Sequence, residues 1–176
     1  MTLIEHRDYF RTQLSRHYQQ AEIDDVFKRC ILYYFSWSAV KIGLEPHYEL
    51  AEKEAEQLHQ ALALLAQGTP LQYILGTTTF MGIDLKLTPA VLIPRPETEE
   101  LVVWVLENHA NEPHEVWDLC SGSGCIALGL KAQRDQWSIQ GYELSEAAIE
   151  VAQINAQENN MSVSFEQQDV LQWEIT

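Results

Sequence analysis

The chain has 176 residues and a formal net charge of −15 at pH 7. That length holds one ordinary domain, or a small domain plus part of another. With 46% hydrophobic residues and five tryptophans, a packed core is expected and disorder is excluded. An acidic surface repels phosphate backbones, so free DNA and RNA are excluded as partners, while a basic protein surface suits it. Cys30, Cys120 and Cys125 form no paired spacing, and an odd count points away from a disulfide framework toward a reducing compartment. The six histidines are scattered without zinc-ligand spacing, so no metal is expected. Glu5, Arg7 and Asp8 interrupt any apolar leader, and no run is apolar enough to span a membrane. The cytoplasm is the expected location.

The first 67 residues read as helical. Leu3, Phe10, Leu14 and Tyr18 recur at helical spacing. Ile23, Phe27, Cys30, Ile31, Tyr34 and Trp37 make a stronger stripe, with Asp24 and Asp25 near the positive N-terminal end of their helix. Gly43 and Pro46 are its expected stop. A third helix is expected from about His47 to Gln67, with Leu50, Leu58, Ala61, Leu62 and Leu65 inward, stopped by Gly68 and Pro70. This part reads as a small bundle with no chemistry of its own.

Residues 71–96 change character. Ile83, Leu85 and Leu87 alternate with Asp84 and Lys86, and with Thr77–Phe80 they predict a hairpin around Met81-Gly82. Pro89 to Pro96 is expected to be extended, because residues before proline avoid the helical region. A helix follows from about Glu97 to His109, with Leu101, Val102, Val105 and Leu106 inward. From Glu115 the order becomes strand (Glu115–Cys120), helix (Gly124–Arg134), strand (Ser138–Leu144), helix capped by Ser145 and reaching Glu158, then a strand carrying Val163, Phe165 and Gln167 and ending at Asp169. Such alternation implies a parallel sheet.

Asp118-Leu119-Cys120-Ser121-Gly122-Ser123-Gly124 lies between a strand and a helix, where glycines let the backbone turn sharply and approach a ligand. Gly122-x-Gly124-x-x-Ala127 also fits a dinucleotide fingerprint, which keeps NAD open. Asp118, just before the loop, suits the ammonium of a methionine moiety and not a pyrophosphate. Glu143 ends the next strand and can accept two ribose hydroxyls, in either cofactor. Asp169, at the third strand end, is placed for an adenine amino group. Three acids at successive strand ends facing one crevice favour S-adenosylmethionine, although each alone could simply cap a helix.

Val91-Leu92-Ile93-Pro94-Arg95-Pro96-Glu97-Thr98-Glu99 resembles the signature of the HemK, or protein-(glutamine-N5), methyltransferases that modify peptide chain release factors. Gly68-Thr69-Pro70-Leu71-Gln72-Tyr73-Ile74-Leu75-Gly76 and Phe80-Met81-Gly82 are similar to the same family. The resemblance implies an α/β protein: an N-terminal α-helical bundle, a β-hairpin linker, then the first half of a Rossmann-like class I S-adenosylmethionine methyltransferase domain. Its expected boundaries are 1–70 for a substrate-recognition domain, 71–96 for the linker and 97–176 for the cofactor part. By resemblance, Cys120, Ser121, Gly122, Ser123 and Gly124 wrap the methionine part, Glu143 holds the ribose, and Asp169 and Val170 border the adenine. Pro94, Arg95, Pro96, Glu97 and Thr98 lie on the substrate side. The implied substrate is the Gly-Gly-Gln glutamine of class I release factors. A ribosomal-protein glutamine and a non-catalytic binding module are the alternatives.

Two departures from the family pattern stand out. Cys120 occupies a position that is usually glycine. The family's catalytic Asn-Pro-Pro-Tyr is absent, and no Asn-Pro occurs in the chain. An amide nitrogen is a poor nucleophile because its lone pair is delocalised. In the family the motif's acceptors aim it at the methyl group, which is catalysis by orientation. The expectation is a fragment that ends before the strand carrying this motif, with no catalytic residue of its own. Val116 and Leu119 would then sit on an unpaired sheet edge.

Overall fold

A computed structural model describes residues 1–109 and 111–173. The chain divides into two compact units, Met1–Leu75 and Gly76–Thr176.

The first unit is helical: α1 (Leu3–Leu14), α2 (Gln20–Phe35), α3 (Ala39–Leu44), α4 (Glu52–Ala66) and α5 (Leu71–Leu75). The apolar stripes do what their spacing predicts. Leu3, Phe10 and Leu14 of α1, Ile23, Phe27, Cys30 and Ile31 of α2, and Leu58, Ala61, Leu62 and Leu65 of α4 form one core. Thr2 and Glu5 form a reciprocal cap on α1, the Glu5 Oε2 accepting the Thr2 N–H at 2.7 Å.

Several expected boundaries move, each for a local reason. The second helix stops at Phe35, not at Gly43, because Ser36 adopts a left-handed conformation (φ 53°). Ser38 then caps the separate α3 by accepting the Lys41 N–H at 3.2 Å. Asp24 lies past the first turn of α2, and its carboxylate takes a two-point ion pair from Arg11 at 2.7 Å on each side. The third long helix begins at Glu52 and not His47. Residues 46–50 instead complete α1: the Pro46 and Tyr48 carbonyls accept the Ile4 and Leu3 N–H groups, both at 2.9 Å. Those are first-turn donors that a helix cannot satisfy internally. The short α5 was not expected; its Leu71 and Leu75 join the helical core.

The second unit opens with a hairpin, β1 (Thr77–Phe80) and β2 (Ile83–Lys86), paired antiparallel with Phe80 opposite Ile83. Pro89-Ala90 is a turn, not extended chain, closed by the Val91 N–H on the Thr88 carbonyl at 3.1 Å. Pro96 opens α6 (Pro96–Asn108), where its missing N–H costs nothing. Leu101 points outward at 46% exposure, against expectation, while Val102 is buried. Then follow β3 (Glu115–Leu119), α7 (Cys125–Gln133), β4 (Ser138–Glu143), α8 (Glu146–Glu158) and β5 (Ser164–Gln167). The alternation does give a parallel sheet, in the order β3-β4-β5. β5 is shorter than expected, so Val163 and Asp169 both fall outside it.

Within this unit the hairpin shares a core with the helices. Phe80 and Leu85 pack with Val102, Ala127, Leu128, Ile149 and Ala152. Gly129, inside α7, makes room for this: a Cβ there would lie 3.0 Å from the Phe80 ring. The opposite strand faces carry Trp117 and Tyr142, and Trp173, beyond β5, packs on both, the two tryptophans stacked with centroids 5.2 Å apart. Among the described residues β3 pairs with β4 alone, and Trp117 and Leu119 are 43% and 48% exposed.

Candidate functional site

Beyond β3 the backbone enters the left-handed region at every second residue: Cys120 (φ 62°), Gly122 (φ 54°) and Gly124 (φ 77°). The result is a tight loop that ends as the N-cap of α7. The Ser121 N–H reaches across to the Tyr142 carbonyl at 3.0 Å, and the Gly124 N–H closes on the Ser121 carbonyl at 2.8 Å. Cys120 is exposed and takes the strained conformation without glycine's freedom.

The two loop glycines differ in purpose. A Cβ on Gly124 would lie 2.7 Å from the Phe165 ring, so that glycine serves packing. Gly141 on β4, which motif reading passed over, serves the same ring: a Cβ there would overlap it. At Gly122 a Cβ would meet nothing within 4 Å among the described residues. The open side of the loop is therefore at Gly122. Ser121 lies beside it, buried, and its Oγ has no hydrogen-bond partner among the described residues.

The three acids fall in different situations. Asp118 is 8% exposed and accepts the Ala127 N–H at 3.1 Å. Burial pushes its pKa up to about 6; the Ala127 bond opposes that rise, and the nearby Glu143 charge adds to it. Glu143, at the end of β4, accepts the Gly122 N–H at 3.0 Å through one oxygen. Its other oxygen takes the Leu144 and Ser145 N–H groups at 2.8 and 3.1 Å. Asp118 and Glu143 thus brace the loop from both sides. Asp169 is not at a strand end but two residues past β5, and it holds the Leu171 N–H at 3.0 Å and the Gln172 side chain at 2.7 Å. Val170 begins that turn and is half-buried.

Pro94–Thr98 forms the entry to α6, with the Thr98 N–H on the Arg95 carbonyl at 2.9 Å. Glu99, the last residue of the same string, reaches the hairpin turn and accepts the Met81 N–H at 2.6 Å. Asn155, which periodicity could not single out, is buried beneath the loop and bonded to the Ser123 carbonyl at 2.9 Å. Among the described residues no group of three or more His, Cys, Asp or Glu side chains could hold a metal ion. No helix among them is long and apolar enough to cross a membrane.

A glycine loop between a parallel strand and a helix, braced by acids from two adjacent strands, belongs to the α/β domains that bind a nucleotide-bearing cofactor. Residues 97–174 match the methyltransferase small domain, which narrows that class, and residues 5–76 match the PrmC N-terminal domain. The chain belongs to the HemK/PrmC family. It is 31% identical over 178 residues to the release factor glutamine methyltransferase of Flavobacterium psychrophilum, covering 99% of this chain and 62% of that one. To the Coxiella burnetii protein of the same name it is 39% identical over 117 residues, covering 66% of this chain and 42% of the relative. The chain thus spans roughly half the length of such curated relatives. Among solved structures it is similar to the Pyrococcus abyssi tRNA (uracil-54, C5)-methyltransferase in complex with S-adenosyl-L-homocysteine. That likeness has a TM-score of 0.46 and 20% identity, over 57% of this chain and 25% of the other.

Proposed function

We propose that this chain carries the cofactor-binding part of a protein-glutamine N5-methyltransferase that uses S-adenosylmethionine and acts on the Gly-Gly-Gln glutamine of class I release factors. The observation that carries the reading is the loop itself, open at Gly122 and flanked by a buried carboxylate and an unpartnered buried hydroxyl. That donor set fits an amino-acid moiety. Asp118, desolvated and held near a pKa of about 6, is stabilised in its charged form by an ammonium group. Ser121 Oγ can bond a carboxylate or an ammonium. Glu143 keeps a free acceptor site on Oε2 for a ribose hydroxyl, while its existing bonds, two of them on Oε1, fix its orientation. Asp169 and Val170 border the adenine, and Cys120, Ser123 and Gly124 complete the wall around the methionine chain. When bound, the cofactor supplies an electrophilic methyl group on a sulfonium.

Pro94, Arg95, Pro96, Glu97 and Thr98 form the substrate side in this reading. The helical unit recognises the release factor, and the net charge of −15 suits a basic partner surface. The place of action is the cytoplasm, where peptide release occurs. Relatives named release factor glutamine methyltransferase support the substrate assignment.

Calorimetric titration with S-adenosylhomocysteine tests it. Asp118→Ala and Glu143→Ala are each expected to weaken binding about tenfold to a hundredfold, the cost of removing a charge-assisted bond. Unchanged affinity in both variants would overturn the site.

A further inference from the structure

Asn155 sits on α8 with no exposed surface, and every hydrogen of its side-chain amide is engaged. Its Oδ1 accepts the Lys86 N–H at 2.6 Å, and its Nδ2 returns a bond to the Lys86 carbonyl at 3.2 Å. This two-point pairing imitates a neighbouring strand along the outer edge of β2. The second Nδ2 hydrogen goes to the Ser123 carbonyl at 2.9 Å, between the two loop glycines. A planar amide cannot satisfy these bonds independently. If Lys86 shifts, the amide plane tilts and the bond to Ser123 lengthens or bends. The hairpin's other end is tied to α6, through the Glu99 carboxylate on the Met81 N–H. A continuous polar path thus runs from the Pro-Arg-Pro-Glu-Thr-Glu string, through the hairpin and Asn155, to the loop.

We propose that Asn155 is a positioning residue that couples the hairpin to the glycine loop, so that a ligand on the loop changes the freedom of the hairpin. By linkage, anything that fixes the hairpin or the start of α6 then tightens ligand binding by the same factor. The identity of the ligand rests on the cofactor reading above; the coupling does not. A mere staple would add stability without transmitting anything. Removing it leaves buried backbone groups unsatisfied in either case, so loss of stability alone does not distinguish the two.

Residue-resolved hydrogen exchange on the 176-residue chain does, with S-adenosylhomocysteine as the probe. Saturation is expected to slow exchange of the Lys86 amide about tenfold in the parent chain, equivalent to one good buried hydrogen bond. Asn155→Ala should abolish that response, whereas Val102→Ala, which weakens the same core, should keep it. Binding that leaves Lys86 unchanged, or an Asn155→Ala chain that still responds, overturns the coupling. Should the probe fail to bind the parent, the cofactor reading falls, and the ligand-free arm decides the coupling. There Asn155→Ala must speed exchange at Gly124 as well as Lys86, beyond the effect of Val102→Ala; an unaffected Gly124 overturns it. If Asn155→Ala does not fold, Glu99→Ala loosens the hairpin from its far end without touching the loop. Gly124 must then exchange about threefold faster or more, scaled to part of one hydrogen bond, and an unchanged rate overturns the proposal.

Discussion

The helical unit and the sheet unit are held together by different means. In the first, apolar stripes on α1, α2 and α4 meet in one core, and its buried polar side chain, His6, has no hydrogen-bond partner among the described residues. In the second, the core is threaded by side chains that bond to backbone far away in sequence: Asp118 to Ala127, Glu143 to Gly122, Asn155 to Lys86 and Ser123, Glu99 to Met81. Burial of oily surface is tolerant of small shifts. A buried hydrogen bond is directional, and leaving one unmade costs more than making it gains. The second unit is therefore built to hold a loop in one shape.

Substitutions can sharpen that contrast. The largest effect is expected in the helical core: Phe10→Ala removes a ring with no exposed surface, packed edge-to-face on Phe27 at 5.1 Å. Its cost should be about 4 kcal/mol in urea unfolding. Next comes Gly141→Ala, where the new methyl overlaps the Phe165 ring, with a loss of about 3 kcal/mol. Addition of Phe165→Leu should restore part of it; no rescue would place the cause elsewhere.

The pH responses of the two units should have opposite signs. Asp118 has its folded pKa raised to about 6, so its contribution is fully present below the ordinary carboxylate value of 3.8 and is lost as pH rises through 6. Over that window the sheet unit should lose up to about 3 kcal/mol, and Asp118→Asn should flatten the slope. Affinity for S-adenosylhomocysteine should rise over the same window, since the ammonium needs the carboxylate charged. The smallest effect belongs to His6, whose pKa burial lowers, with the His59 charge assisting. Its contribution is present above 6.5 and is lost as pH falls through the lowered value. Amide exchange at pH 5 and pH 7 should therefore show α1 loosening in acid while the core amides of β4 tighten. Identical trends in both units would break the comparison.

The same contrast explains what could be read from the sequence. Leu58, Ala61, Leu62 and Leu65 were legible because a helix face repeats, and the parallel sheet followed from alternating elements. The glycine loop and Asp118 were legible because loop and strand end adjoin in sequence, and Glu143 because it closes the strand that pairs alongside. The break at Ser36 was not, since Ser38 offers an alternative cap that competes with a continuing stripe. Nor was the displacement of residues 46–50, which serve the free amides of a helix that begins more than forty residues earlier. Asn155 and Gly141 have no local signature; one is defined by Lys86 and the other by Phe165, and only the fold brings them together.

Trp117 and Trp173, stacked at 23° beside Tyr142, also give the protein an optical gauge. Two indoles this close share their excited states, so their near-ultraviolet dichroism depends on the angle between them. Any molecule or segment that settles on this face of the sheet must disturb that angle or exclude water from the rings. The signal would report its arrival without a label.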